Sequence, residues 1–217
     1  GSTAGFIDTN GHTVVVAGGI GALASNLGLL KTGAGTLVLN GVNTYTGQTT
    51  VEAGVLGGQG TVERLRVENA TLAPGESAGL FSVRKGLSFE AATLAMELGG
   101  VVRGSGYDAL DVGGNLSLGF DTVLRVSFIG GFQAQAGHSF ELVDDGTNVS
   151  GNFANVADGD RLLTADGAGS FVVHYGAGQG LRLTDFQATA PVPEPATWGL
   201  MALGLLGVGV AARRRRG

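Results

Sequence analysis

The side chains with the clearest capacity for chemistry are carboxylates in glycine-rich turns. Asp144, Asp145, Asp158, Asp160 and Asp166 fall in segments such as Asp144-Asp145-Gly146-Thr147-Asn148. Two of them converging on one groove could act as the acid and base of a polysaccharide-cleaving site. Asp and Asn oxygens in loops could also hold calcium, but neither an EF-hand spacing nor a Gly-Gly-x-Gly-x-Asp repeat occurs. Solvated turn residues are the favoured reading of all five. His12, His138 and His174 lie far apart, with no His-x-x-x-His pattern and no adjacent Glu, so no metal site is expected. A serine-nucleophile elbow is not expected either. The chain has no cysteine, which removes thiol chemistry and disulfides.

These residues must be held by β-structure. Apolar and polar residues alternate in short runs: Leu65 and Val67 with Arg64 and Arg66 between and beside them, Leu94-Met96-Leu98, Leu124-Val126-Phe128, Phe171-Val173-Tyr175. Period two over such lengths means half-buried strands, and the Gly, Asn, Asp and Thr clusters between them read as turns. No stretch before Trp198 has a helical period. Glycine is 41 of 217 residues, far above the usual share of about 7%, which suits a turn-dense chain. Only 14% of residues are charged while 43% are hydrophobic, so the body can build a core and does not read as disordered. Phe128, Phe132, Phe140, Phe153 and Phe171 concentrate in the second half and are expected to fill a wider or terminal part of that core. A stacking surface for a sugar ring is the alternative.

The end of the chain differs in kind. Pro191, Pro193 and Pro195 crowd together, whereas only Pro74 lies in the body. Proline cannot donate to a sheet ladder, so the sheet should stop before Pro191 and an exposed tether should follow. An apolar run of fifteen residues, Trp198 to Ala212, then precedes Arg213, Arg214, Arg215 and Arg216. As a helix the run would span about 22 Å. That is short of a hydrocarbon core of about 30 Å, and its apolar content makes insertion marginal. Trp198 would sit at the outer interface, with Leu200, Leu203, Leu205, Leu206, Val208 and Val210 in the lipid and the arginines on the cytoplasmic side. Loss of the four arginines would carry the formal charge of −5 to −9. An acidic body with few aromatic residues does not suit nucleic acid. Gly1-Ser2-Thr3-Ala4-Gly5 lacks the features of a secretory signal, so the chain is expected to be a fragment or a processed product.

The tail resembles the PEP-CTERM sorting signal: Val192-Pro193-Glu194-Pro195, a short apolar helix, then an arginine cluster. That resemblance implies a processing partner, the membrane transpeptidase exosortase, which recognises the tripeptide and cuts near it. It also implies an inner-membrane intermediate and a destination at the cell surface or in the extracellular matrix of a Gram-negative-type bacterium. Exopolysaccharide or another surface component would be a further partner. A second segment is similar to the autotransporter-associated β-strand repeat. It comprises Lys31-Thr32-Gly33-Ala34-Gly35-Thr36-Leu37 and Asn43-Thr44-Tyr45-Thr46-Gly47-Gln48-Thr49-Thr50-Val51, within residues 29–56. Ala73-Pro74-Gly75 and Tyr107-Asp108-Ala109-Leu110-Asp111-Val112 resemble the region that follows such repeats.

The expected architecture is all-β. A right-handed parallel β-helix occupies residues 1–184, a Pro-rich tether 185–195, and a transmembrane helix with its arginine cluster 196–217. The expected function is a non-enzymatic, adhesin-like surface or matrix protein with no cofactor. A secreted polysaccharide-active enzyme on the same scaffold and an autotransporter passenger are the alternatives. A tail that stays as a permanent anchor is a third possibility.

Overall fold

Short alternating runs become strands, and the strands pair with others one turn of a coil away. The structure, a computed structural model, describes residues 5–21, 26–144 and 147–189. Strands β1 (Gly5–Asp8) and β2 (Thr13–Val16) make the first winding, β3 (Leu29–Thr32) and β4 (Thr36–Leu39) the second, β5 (Gln48–Val51) and β6 (Val55–Gly58) the third. Strands β7 (Thr61–Glu68) and β8 (Thr71–Pro74) make the fourth, and β9 (Leu80–Glu90) and β10 (Thr93–Leu98) the fifth. The sixth holds β11 (Ala109–Val112), β12 (Leu116–Leu118) and β13 (Val123–Phe128). Strands β14 (Phe140–Val143), β15 (Val149–Gly151), β16 (Arg161–Leu163), β17 (Gly169–Gly176) and β18 (Gly180–Ala188) close the far end.

The odd-numbered strands from β1 to β11 lie side by side in one larger sheet, and β2, β4, β6, β8, β10 and β13 form a smaller one. All pairings within these windings are parallel. This is the β-helix-like body expected from the sequence. No helix occurs among the described residues, so none there is long and apolar enough to cross a membrane. The expected transmembrane helix lies outside them.

The register explains the core. In the smaller sheet Val14, Leu37, Leu56, Leu72, Leu94 and Leu124 are successive partners, and all but Val14 are fully buried. In the larger sheet Leu65, Leu87, Leu116 and Val149 stack likewise, as do Val51, Val67, Phe89 and Leu118. Each winding therefore covers the apolar end face of the one before it, and a lone winding would leave that face wet. Windings first shorten, with twenty-three residues from Val14 to Leu37 and nineteen from Leu37 to Leu56, and then lengthen along the axis. Sixteen residues separate Leu56 from Leu72, twenty-two separate Leu72 from Leu94, and thirty separate Leu94 from Leu124. The wider cross-section is filled by larger side chains, Phe81, Phe89 and Phe140 among them, each at most 2% exposed.

The same corner recurs at each passage from the larger to the smaller sheet. Asn10, Gly33, Gly54, Asn69, Ala91 and Asp121 sit there in turn, all with φ between 45° and 76°. Glycine, Asn and Asp adopt this left-handed region at little cost, but alanine does not.

The parallel winding does not run to Thr184 as expected. Strand β18 pairs antiparallel with β14, β17 antiparallel with β18, and β16 antiparallel with β17. A last winding has no successor, and a hairpin folded back on it supplies the missing partner. The outer edge of β13 is closed differently, by a loop that imitates a strand. Ala154 N–H donates to Thr122 O, the Asn155 side chain bonds both Leu124 N and Leu124 O, and Ala165 N–H donates to Val126 O. An edge treated this way is no longer free to pair with another chain. Beneath it Phe128, Phe132, Phe140, Phe171 and Phe186 pack edge to face or tilted, with centroids 4.9–6.2 Å apart. Phe153 packs on Tyr175 instead. The phenylalanines thus fill the terminal core, as their clustering in the sequence suggests.

Two substitutions test this account with opposite signs. Leu72→Ala, in the centre of the aliphatic column, should lower the unfolding free energy by about 3 kcal/mol. Ala91→Gly, at an exposed left-handed corner, should raise it by about 0.5–1 kcal/mol, strain relief exceeding the added freedom of the unfolded chain. Urea titrations measure both, and a destabilised Ala91→Gly would show that the corner carries no strain.

Candidate functional site

The structure disperses the acidic candidates. Asp144 accepts from Val112 N–H at 3.0 Å and from the Thr147 hydroxyl at 3.1 Å, joining two windings. Asp158 accepts from Tyr175 N–H at 3.0 Å, and Asp160 lies exposed in the adjoining turn. Asp166 accepts from Phe128 and Ala168 N–H, both at 3.2 Å, and so finishes the closure of β13. Burial opposes ionisation of Asp166, but these bonds together with Thr164 hold its carboxyl below the usual range. Asp145 lies outside the described residues. The turn carboxylates are therefore used to satisfy backbone amides. Among the described residues no group of three His, Cys, Asp or Glu side chains could hold a metal ion. His138 stacks on Phe132, and His174 bonds the Thr184 hydroxyl.

The residues of the sorting motif, Val192, Pro193, Glu194 and Pro195, lie outside the described residues. So do Trp198, Leu200, Leu203, Leu205, Leu206, Val208 and Val210, and Arg213, Arg214, Arg215 and Arg216.

What the fold does bring together was not foreseen as a site. Ala73-Pro74-Gly75 at the end of β8 meets Tyr107-Asp108 just before β11. Asp108 is 1% exposed, and its two oxygens accept from Gly79 N–H at 3.0 Å and Glu97 N–H at 2.7 Å. Gly75 makes room: it has φ 81°, and a Cβ there would lie 2.9 Å from the Asp108 carboxylate and 2.0 Å from Ser77 O. Among the described residues no cation forms an ion pair with Asp108. Burial pushes its carboxyl up to about 8; the two amide bonds oppose this and the nearby Glu97 adds to it. Asp108, Glu97, Glu76 and Arg125 line an open cleft of about 360 Å³. A proton-holding acid beside other carboxylates is the chemistry of acid–base catalysis. Here, however, both oxygens of Asp108 face backbone amides, and the side chain works as a latch between β10, β11 and the 75–79 turn. The sequence signal was an aspartate set among Tyr107, Ala109 and Leu110, in a strand that otherwise reads as core.

The same turn corrects an expectation. Gly75-Glu76-Ser77-Ala78-Gly79 does carry the Gly-x-Ser-x-Gly spacing. It leads into β9 rather than into a helix, so the sharp strand-to-helix turn of a nucleophile elbow is absent.

The repeat signature also resolves into packing roles. Lys31 stands in the inner column between Ile7 and Val51 and is fully buried. Its ammonium donates to the Thr9 hydroxyl at 2.9 Å, Thr32 O at 3.0 Å and Gly33 O at 2.7 Å, using all three donors. Burial lowers its pKa, and Asp8 partly offsets that. Gly33 must be glycine, since a Cβ would lie 2.2 Å from Asp8 Oδ1. Asn43, also fully buried, accepts from Ile20 N–H and donates to Thr61 O, tying three windings. The Tyr45 hydroxyl bonds Thr49 inside the core.

Two family models match parts of this chain. Residues 29–57 match the passenger-associated-transport-repeat, which falls on β3 to β6 and contains Lys31, Asn43 and Tyr45. Residues 191–216 match the PEP-CTERM protein-sorting motif, the kind of signal that implies processing by an exosortase. Together they point to an exported protein, at the cell surface or outside. No curated protein and no solved structure matches the chain.

Asp108 has a pH signature. Its folded pKa stands above its unfolded value, so between the two the folded state holds a proton that the unfolded state has lost. Its stabilising contribution is complete below the ordinary carboxyl range, falls as pH rises, and is gone above about 8. The melting temperature of the wild type should therefore drop between pH 4 and 8 relative to Asp108→Asn. Parallel curves for the two proteins would assign the pH dependence elsewhere.

Proposed function

We propose that this chain is an exported, non-enzymatic surface or matrix protein. Its body is a right-handed parallel β-helix, and its tail is a sorting signal that an exosortase recognises and cuts. The match of residues 191–216 to the PEP-CTERM motif carries this reading. The body supports it, since a solenoid held by its own stacked windings needs neither cofactor nor disulfide to persist outside the cell. In this scheme Glu194, between Pro193 and Pro195, is the element read by the processing enzyme. The run from Trp198 to Val210 holds the chain in the inner membrane until cleavage, and Arg213 to Arg216 keep its end cytoplasmic. These residues are substrate, and they catalyse nothing.

In a host with an exosortase, Glu194→Ala should leave full-length chain in the inner-membrane fraction, while the wild type reaches the surface or medium in shortened form. Unchanged release of the variant would refute the sorting role. Full-length wild type that stays in the membrane fraction would identify the tail as a permanent anchor.

The cleft of Glu76, Glu97 and Asp108 is the one feature that favours a polysaccharide-active enzyme. Purified chain incubated with neutral and acidic polysaccharides should release no reducing ends. Their release, abolished in Glu97→Gln, would replace the non-enzymatic reading.

A further inference from the structure

The two flanks of the coil differ in charge. Apart from the buried Lys31, the larger sheet carries its ions outward: Arg66 pairs with Glu68 at 3.0 Å, and Lys85 with Glu63 at 2.7 Å. The six strands of the smaller sheet contain two charged residues, Glu97 and Arg125, both in the last two windings. Its outward side chains form an array in register, bordered in the last three windings by the cleft of Glu76, Glu97 and Arg125. Thr13, Thr36, Val55, Thr71, Thr93 and Val123 are successive partners across all six windings. Thr13 is exposed and the other five are half-buried, as neighbours on a continuous surface should be. The row beside it, Val15, Val38, Gly57 and Ala73, is buried at Val38 and Gly57, so the row from Thr13 to Val123 is the accessible one. Strand spacing sets rows about 4.8 Å apart, each presenting a methyl group with or without a hydroxyl.

This composition narrows the partner. Nucleic acid and acidic polymers need cations, and four windings offer none on this flank. A membrane surface calls for larger apolar side chains with Lys or Arg around them. A second copy would match the period, but six rows of short strands cover only about 300 Å². Stable protein interfaces bury about 800 Å² on each side. A polymer with a flat, hydroxyl-bearing, neutral face fits instead. Threonine offers it both a hydrogen-bonding group and a methyl group. Weak contacts repeated over six rows act together, because one rigid face carries them all.

We propose that the outer face of the smaller sheet binds the flat surface of a neutral, insoluble polysaccharide through the row from Thr13 to Val123. The proposal rests on the surface-protein reading above and names its ligand class.

The test uses the purified full chain in mild detergent, with microcrystalline cellulose as the neutral probe and polygalacturonate beads as the acidic comparison. Wild type should sediment with cellulose and stay off the acidic beads. The flank variant Thr36→Lys/Thr71→Lys/Thr93→Lys should lose about tenfold in affinity for cellulose, or 1.4 kcal/mol. A control, Thr50→Lys/Ser88→Lys/Ser117→Lys, puts the same charges on the outer face of the larger sheet and should bind as wild type does. Wild type that stays in solution with cellulose overturns the proposal. So does equal loss in both variants, or a dimer in sedimentation that only the flank variant breaks. The sorting experiment on Glu194 is independent of these outcomes, so failure of the ligand and failure of the export reading are distinguishable.

Discussion

Everything in this body depends on one winding burying the end face of the next with its apolar columns in register. Ordering a residue's backbone costs about 1–2 kcal/mol, and burying an aliphatic side chain returns about 1.5–3 kcal/mol. A winding of some twenty residues with a handful of inward aliphatics cannot stand alone on those terms. Stacked, Leu37, Leu56, Leu72 and Leu94 each lose their last contact with water, and the ladders add hydrogen bonds on two sheets. Stability is therefore shared among neighbours, and a defect in one winding is felt in the next.

The same constraint governs where polar groups enter. Parallel stacking lays like residues over like, and Glu68 beside Glu90 shows the difficulty this creates for charge. The chain responds in two ways. Ions are concentrated on the larger sheet, where Lys85 and Arg84 pair with Glu63 and Arg66 pairs with Glu68. Inward polar groups, Lys31, Asn43 and Asp108, sit near turns where carbonyl or amide groups can occupy every donor or acceptor. The flank of the smaller sheet, whose first four strands carry no charge, is the other side of this sorting.

The two ends of the coil are unlike. At the C-terminal side an antiparallel hairpin packs on the last winding, the Asn155 side chain closes the edge of β13, and a cluster of phenylalanines fills the core. At the other, β1 and β2 pair on one side each, and Ile7, Val14, Val16 and Ile20 are only partly covered. The sorting motif follows directly on the closed end, beyond Thr189.

Much of this was legible from residues alone. Period-two runs located many of the strands, and the Pro-Glu-Pro tail and the repeat signature matched family models at the places read from the sequence, although β18 runs on to Ala188, into the stretch expected to be a tether. Other features were not legible. The pattern did not reveal that Lys31 points into the core, that Asp108 is a buried latch against Gly75, that the last strands turn antiparallel, or that Thr13 to Val123 align as one row. The reason is physical. Alternation along a strand says which residues share its face, because it depends only on the local pleat. Which residues meet across strands sixteen to thirty-odd positions apart depends on how many residues each corner and loop consumes, and that is decided only when the windings pack.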